Sequence, residues 1–231
     1  MDIRIADFVE GAREARGLAV IIDVFRAFSL AAHAFARGAR TIIPVAESDI
    51  ALSLRERFPT ALLLGERFAK PLPGFDGGNS PAELARYDLR DRTIVHTTHA
   101  GTQGLSHAVS ADDVITGALV NAAAIVTYIR QQRPAIVTLV RMGQNASERC
   151  WEDDACADLI ARRLRGEDVA VDQIPQRLRH APSAAKFFDP ACDWAPEQDF
   201  ALCTQVDAFD FVLRLDRGSQ PPSLVKVPVL I

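Results

Sequence analysis

Short apolar runs alternate with stretches of helical spacing from residue 18 to residue 164, and few folds accept that alternation. Its clearest unit is Ala19-Val20-Ile21-Ile22-Asp23-Val24-Phe25-Arg26. Four apolar residues run into an acid, the pattern of a short strand buried on both faces. From Arg26 onward Ala27, Leu30, Ala31, Ala34 and Phe35 recur three and four residues apart, as on one face of a helix that Gly38 ends. The same reading predicts strands at Ile3 to Val9, Leu18 to Val24, Thr41 to Val45, Ala61 to Leu64, Thr93 to Thr98, Val114 to Ala118 and Ile136 to Val140. Helices are predicted at Arg26 to Arg37, Ser48 to Phe58, from Thr102, at Asn121 to Gln131 and at Ser147 to Leu164. Strand and helix in turn specify a three-layer α/β/α fold with a mostly parallel or mixed sheet.

Beyond Gly166 the pattern weakens, broken by Pro175, Pro182, Pro190 and Pro196. Residues 1–166 thus read as the main α/β domain. Residues 167–231 read as an irregular C-terminal capping region or small subdomain that completes the same fold, with late strands at Phe209 to Leu215 and Leu224 to Leu230. The net charge of −4 argues against nucleic acid, whose partners cluster Lys and Arg. Cys150, Cys156, Cys192 and Cys203 show no Cys-x-x-Cys spacing, so neither a zinc site nor a redox pair is indicated. Met1-Asp2-Ile3-Arg4 does not read as a secretory signal, and no apolar run reaches the ~18 residues of a membrane span. The expectation is a soluble cytoplasmic protein with reduced thiols and neither a nucleic-acid nor a membrane partner. A homo-oligomer stays open.

In a parallel sheet the loops after strand ends gather along one edge, where ligands bind. The first such loop carries Asp23 and Arg26, a carboxylate and a guanidinium at a strand-to-helix turn. The second is Gly65-Glu66-Arg67, followed by Gly74-Phe75-Asp76-Gly77-Gly78-Asn79-Ser80-Pro81. Ser80 and Glu83 form a capping box there, whereas Asp76 and Asn79 read either as plain turn residues or as site residues. The third, Thr97 to Gly104, offers hydroxyls and amides of Thr98, Gly101 and Thr102 around an anion at a helix start, with His99 open as a general acid, a phosphate donor or a solvated loop histidine. Asn121 reads as a cap. Glu152 and Asp153 fall at a helix start, where acids complement the dipole or hold a divalent cation.

Taken together and in order, these stretches resemble the 2-phosphosulfolactate phosphatase family of the ComB type. The likeness runs from about residue 18 to residue 165 through Asp23-Val-Phe-Arg-Ala, Gly65-Glu-Arg, Gly74-Phe-Asp-Gly-Gly-Asn-Ser-Pro81, Thr97-Thr98 with Gly101-Thr102, Asn121-Ala122 and Glu152-Asp153-x-x-Cys156-Ala157. A fainter echo follows at Pro196 to Cys203. The resemblance implies a Mg²⁺-dependent phosphatase that hydrolyses a small anionic phosphomonoester, as 2-phosphosulfolactate to sulfolactate, a step towards coenzyme M. It implies Asp23, Arg26, Arg67 and Asp76 as catalytic residues, with Arg26 and Arg67 as clamps on phosphate or sulfonate, and Asn79, Thr98, His99, Gly101 and Thr102 as substrate contacts. Asp23, Glu152 and Asp153 would be the metal ligands. The chain departs from the family pattern at Phe28, at Phe68-Ala69, at Asp158 and at His99-Ala100, the last with one extra residue and no Asn. A diverged anion-binding protein on the same scaffold is the rival from another class. A haloacid-dehalogenase-like aspartyl-phosphate phosphatase is the rival enzyme, and it wants a second Asp where Phe25 stands.

Overall fold

Strand β2 (Leu18–Ile22) is buried along its whole length and pairs in parallel with β7 (Asp113–Gly117) on one side and β8 (Ile136–Arg141) on the other. In the computed structural model, which describes residues 1–230, β1 (Asp2–Asp7) extends this parallel group beyond β8. A second parallel group comprises β3 (Thr41–Pro44), β6 (Thr93–Thr97) and β4 (Leu62–Arg67), with the short β5 (Lys70–Pro71) folded back on β4. The hairpin of β9 (Phe211–Asp216) and β10 (Ser223–Pro228) joins the two groups into one ten-stranded mixed sheet.

Period-two alternation sorts the strand side chains between two helical layers. Ile21, Val140, Ile42, Ile94, Leu62 and Leu64 share a core with α2 (Ala27–Ala36) and α4 (Gly101–His107). Val20, Ile22, Ile115 and Leu139 face the other way, towards α5 (Ala122–Gln132) and α6 (Trp151–Leu164). On that same side of the second group, Ile43, Leu63 and Val95 pack with α3 (Ser48–Arg57). The three-layer α/β/α expectation therefore describes the fold.

Three local expectations need correction. The first strand stops at Asp7, and Phe8-Val9 open a helix, α1 (Phe8–Glu14), rather than extending β1. The last helix of the main domain starts at Trp151, because residues 144 to 148 close a tight turn through Gln144 and Glu148. The late strands do not cap a sheet edge: β9 and β10 lie at its centre.

The hairpin also reverses the second parallel group relative to the first, so the strand ends do not share one straight edge. Five pairing steps separate β2 from β6. At ~20–25° of twist per step the sheet turns by on the order of 100° between them. Residues that follow β2, β8 and β6, with the end of β4, nonetheless line one cleft. The segment with α7 (Ile174–Leu178), a 3-10 turn (Pro182–Phe187) and α8 (Glu197–Thr204) supplies its cap. No helix among the described residues is long and apolar enough to cross a membrane.

Candidate active site

Asp23 follows β2 directly and is buried where α2 and α4 begin. Its Oδ1 accepts the Ala27 N–H at 3.2 Å. A Cβ at position 101 would lie 2.8 Å from Asp23 Oδ2 and 2.9 Å from the Ala27 Cβ, so only glycine lets α4 start this close. Burial, and then the Glu66 carboxylate, push the Asp23 carboxyl up to about 7.

Two further acids come from the first turn of α6, where the helix dipole favours them. Asp153 Oδ1 accepts the Val24 N–H at 2.9 Å and its Oδ2 accepts the Gly143 N–H at 2.8 Å, which ties the ends of β2 and β8 together. Burial, then the Asp23 and Glu152 charges, hold the Asp153 carboxyl well above its ordinary value. Glu152 Oε2 accepts the Ser183 hydroxyl at 2.6 Å, a contact to the cap. Glu66 closes the acidic side from β4, with Oε1 accepting the His99 N–H at 2.7 Å and Oε2 the Ala69 N–H at 2.6 Å.

These groups surround a cleft that Asn79, His99 and Lys186 also line. Asn79 Oδ1 lies 3.1 Å from Nε2 of the buried His96. Burial lowers His96 to about 4, so the ring is neutral and donates that hydrogen bond. His99 Nδ1 is buried without a hydrogen-bond partner, and its ring meets the Phe68 ring at 4.6 Å. Cys150 also borders the cleft, but burial and the neighbouring acids raise its thiol strongly, which removes it as a nucleophile.

A family model described as 2-phosphosulpholactate phosphatase matches residues 4–218. The chain belongs to that family. Its relatives include the probable 2-phosphosulfolactate phosphatase of Bacillus subtilis (strain 168), 29% identical over 213 residues, covering 90% of this chain and 91% of that one. The protein of the same name from Caldanaerobacter subterraneus subsp. tengcongensis is 30% identical, covering 86% of this chain and 88% of that one. That from Synechococcus sp. (strain JA-3-3Ab) is 33% identical, covering 84% and 86%. The family is named for phosphoric monoester hydrolysis.

Of the residues expected from sequence, the fold brings Asp23, Arg26, Asn79, His99, Glu152 and Asp153 to the cleft. Arg26, however, is not free to clamp an anion. Its Nη1 donates to Asp199 Oδ2 and to the Trp194 carbonyl, both at 2.8 Å, and its Nη2 donates to the Ala69 carbonyl at 3.1 Å. Arg67 points away, because neighbours on a strand face opposite sides and Glu66 takes the cleft side. Its guanidinium donates to the Ala46 carbonyl at 2.8 Å and to Thr97 Oγ1 at 3.0 Å.

Asp76 is likewise outside the cleft. Its Oδ2 accepts the Leu63 N–H at 2.8 Å and pairs with Arg55 at 3.1 Å, on the α3 side of the sheet. Thr98 and Thr102 are buried behind the cleft wall and bond each other across the start of α4. They set the position of Gly101 rather than present hydroxyls to a ligand. Phe28, a departure from the family pattern, is core and not lining.

Four residues escaped the sequence reading. Glu66 had a signal, an acid at the end of an apolar run, that the adjacent arginine overshadowed. Ser183, Lys186 and Asp199 lie in the proline-broken segment, where neither period marks a face. Two signals were available, the faint family echo at Pro196 to Cys203 that contains Asp199, and a lysine within the otherwise apolar Ala184-Ala185-Lys186-Phe187-Phe188.

Proposed function

We propose that this cleft hydrolyses a small acidic phosphomonoester, with 2-phosphosulfolactate, the compound in the relatives' name, as the first substrate to test. The observation that carries the reading is the excess of buried acid. Asp23, Glu66, Glu152 and Asp153 face one space, whereas Arg26, one of two full cations there, is already neutralised by Asp199. A dianionic ester is repelled from such a site unless a cation intervenes.

The donor set fits Mg²⁺. All the acids offer oxygen, and Mg²⁺ usually keeps several waters and takes only one or two carboxylates with substrate phosphate. Among the described residues no three His, Cys, Asp or Glu side chains are close enough to enclose one ion. One or two of Asp23, Glu152 and Asp153 would hold it, with water and substrate oxygens completing the shell. Bound there, Mg²⁺ would neutralise phosphoryl oxygens and acidify water. Asp23, buried beside the cleft, would take the proton of the water that attacks phosphorus where it does not itself ligate the metal. The ester oxygen leaves as the P–O bond breaks and ends protonated as the hydroxyl of the product. The Asn79 amide and the His99 ring, which border the cleft, would contact substrate oxygens. The chemistry asks mainly for positioning and charge compensation.

The test is phosphate release from 2-phosphosulfolactate and from a generic aryl phosphate, with Mg²⁺ and with chelator. Mg²⁺-dependent turnover of the acidic ester is expected. Absence of turnover on every ester, with tight anion binding retained, would favour the binding-protein alternative.

A further inference from the structure

Building on the phosphomonoesterase reading, we propose that Lys186, on the C-terminal cap, is the side chain that holds the substrate's phosphoryl group. It would fill the part that the sequence reading gave to Arg26 and Arg67. The first argument is direction. Lys186 lies in the 3-10 turn Pro182–Phe187, where residues three apart eclipse one another. Ser183 is fixed onto Glu152 Oε2 at 2.6 Å, so Lys186, stacked on it, faces the same cleft and lines it.

The second argument is vacancy of its hydrogen bonds. Among the described residues the Lys186 ammonium makes no hydrogen bond and no ion pair with protein. It lies 5.2 Å from the neighbouring Phe187 ring and feels the charges of Arg26, Glu152 and Asp23 without pairing with any of them. A half-buried ammonium without an acceptor is costly, and an anion relieves that cost. Burial, then repulsion from Arg26, lowers its pKa, which is the same deficit seen from the proton's side. The third argument is elimination. Arg26 and Lys186 are the Lys and Arg side chains that border the cleft, and Arg26 already spends three N–H groups on Asp199, Trp194 and Ala69. A compact ammonium on a flexible stem binds phosphate as a point charge and tolerates movement of the group in transfer.

The test uses inorganic phosphate, the product, as probe on the full chain with Mg²⁺ present. Lys186→Met should raise both the inhibition constant of phosphate and KM at least tenfold, and Lys186→Arg should recover part of each. Melting temperatures should stay within a few degrees of the parent, since no hydrogen bond or ion pair is lost. If Lys186→Met does not fold, Lys186→Gln carries the comparison. Unchanged phosphate inhibition and KM in an active variant would overturn the assignment while leaving the phosphatase reading intact. If the parent hydrolyses no ester, calorimetric phosphate binding decides the point. Loss confined to the Lys186 variants supports the assignment. Equal binding in parent and variants, or none in the parent, overturns it.

Discussion

Asp199 and Asp23 are both buried carboxylates next to the turn that carries Arg26, and their surroundings are opposites. Asp199 is saturated. Its Oδ2 takes the Arg26 guanidinium at 2.8 Å, and its Oδ1 takes the Ser80 hydroxyl at 2.8 Å and the Ala82 N–H at 2.9 Å. Asp23 accepts the Ala27 N–H at 3.2 Å but pairs with no guanidinium, and burial, then the Glu66 carboxylate, push it up to about 7. The first cluster fastens α8 of the cap to the loop after β2 and to the loop before residue 82. The second is left short of positive charge inside the fold. A buried ion pair that is closed on itself organises structure, whereas a buried set of acids that outnumbers its counter-charges is a site suited to a cation and a ligand.

The comparison breaks most sharply at Asp23. Asp23→Asn should lower kcat/KM by on the order of 10³-fold, the range for a lost proton acceptor, while leaving the melting temperature equal or higher because a repelled charge is gone. Steady-state kinetics with a parallel thermal melt check both halves. Arg26→Met should do the reverse: a loss of about 3–5 kcal/mol in stability, because Asp199 is left charged and unpaired. Urea unfolding measures it, and a silent Arg26→Met would mean that the closed cluster is not structural.

The next effect sharpens the contrast through pH. The lowered value of His96, about 4 against 6.5, means the unfolded chain binds a proton that the folded chain refuses. Its contribution is present above pH 6.5 and falls as pH drops towards 4, by up to about 3 kcal/mol. Asp23 and Asp153, with raised values, act with opposite sign: their contribution is full below the ordinary carboxylate value and, for Asp23, is lost as pH rises through about 7. Denaturation series of the parent and His96→Gln between pH 4.5 and 7 should differ in slope by the histidine's share alone. The smallest effect belongs to Asp76. Because it pairs with Arg55 on the α3 side, Asp76→Asn should change kcat/KM by no more than about threefold.

The strand-helix order and the two-faced core were legible because period two and period three-to-four are written in single residues such as Ile21 against Val20 and Ile22. The acids Asp23, Glu152 and Asp153 were legible because each stands where an apolar period starts or stops. The duties of Arg26, Arg67 and Asp76 were not. Which way a charged side chain turns depends on partners far along the chain, and Asp199 lies 173 residues from Arg26. The central place of β9 and β10 was hidden for the same reason, since strand order follows pairing between distant segments and not local spacing. Lys186 was hidden because a 3-10 turn leaves too short a period to read.

Phosphate release from 2-phosphosulfolactate, followed with Mg²⁺ and again after chelation, tests the open acidic cluster most directly. The account predicts turnover with Mg²⁺, a fall of at least ~10²-fold on chelation, and recovery when Mg²⁺ is restored. Equal rates with and without the metal would contradict it, because the acids around Asp23 would then be doing their work uncompensated.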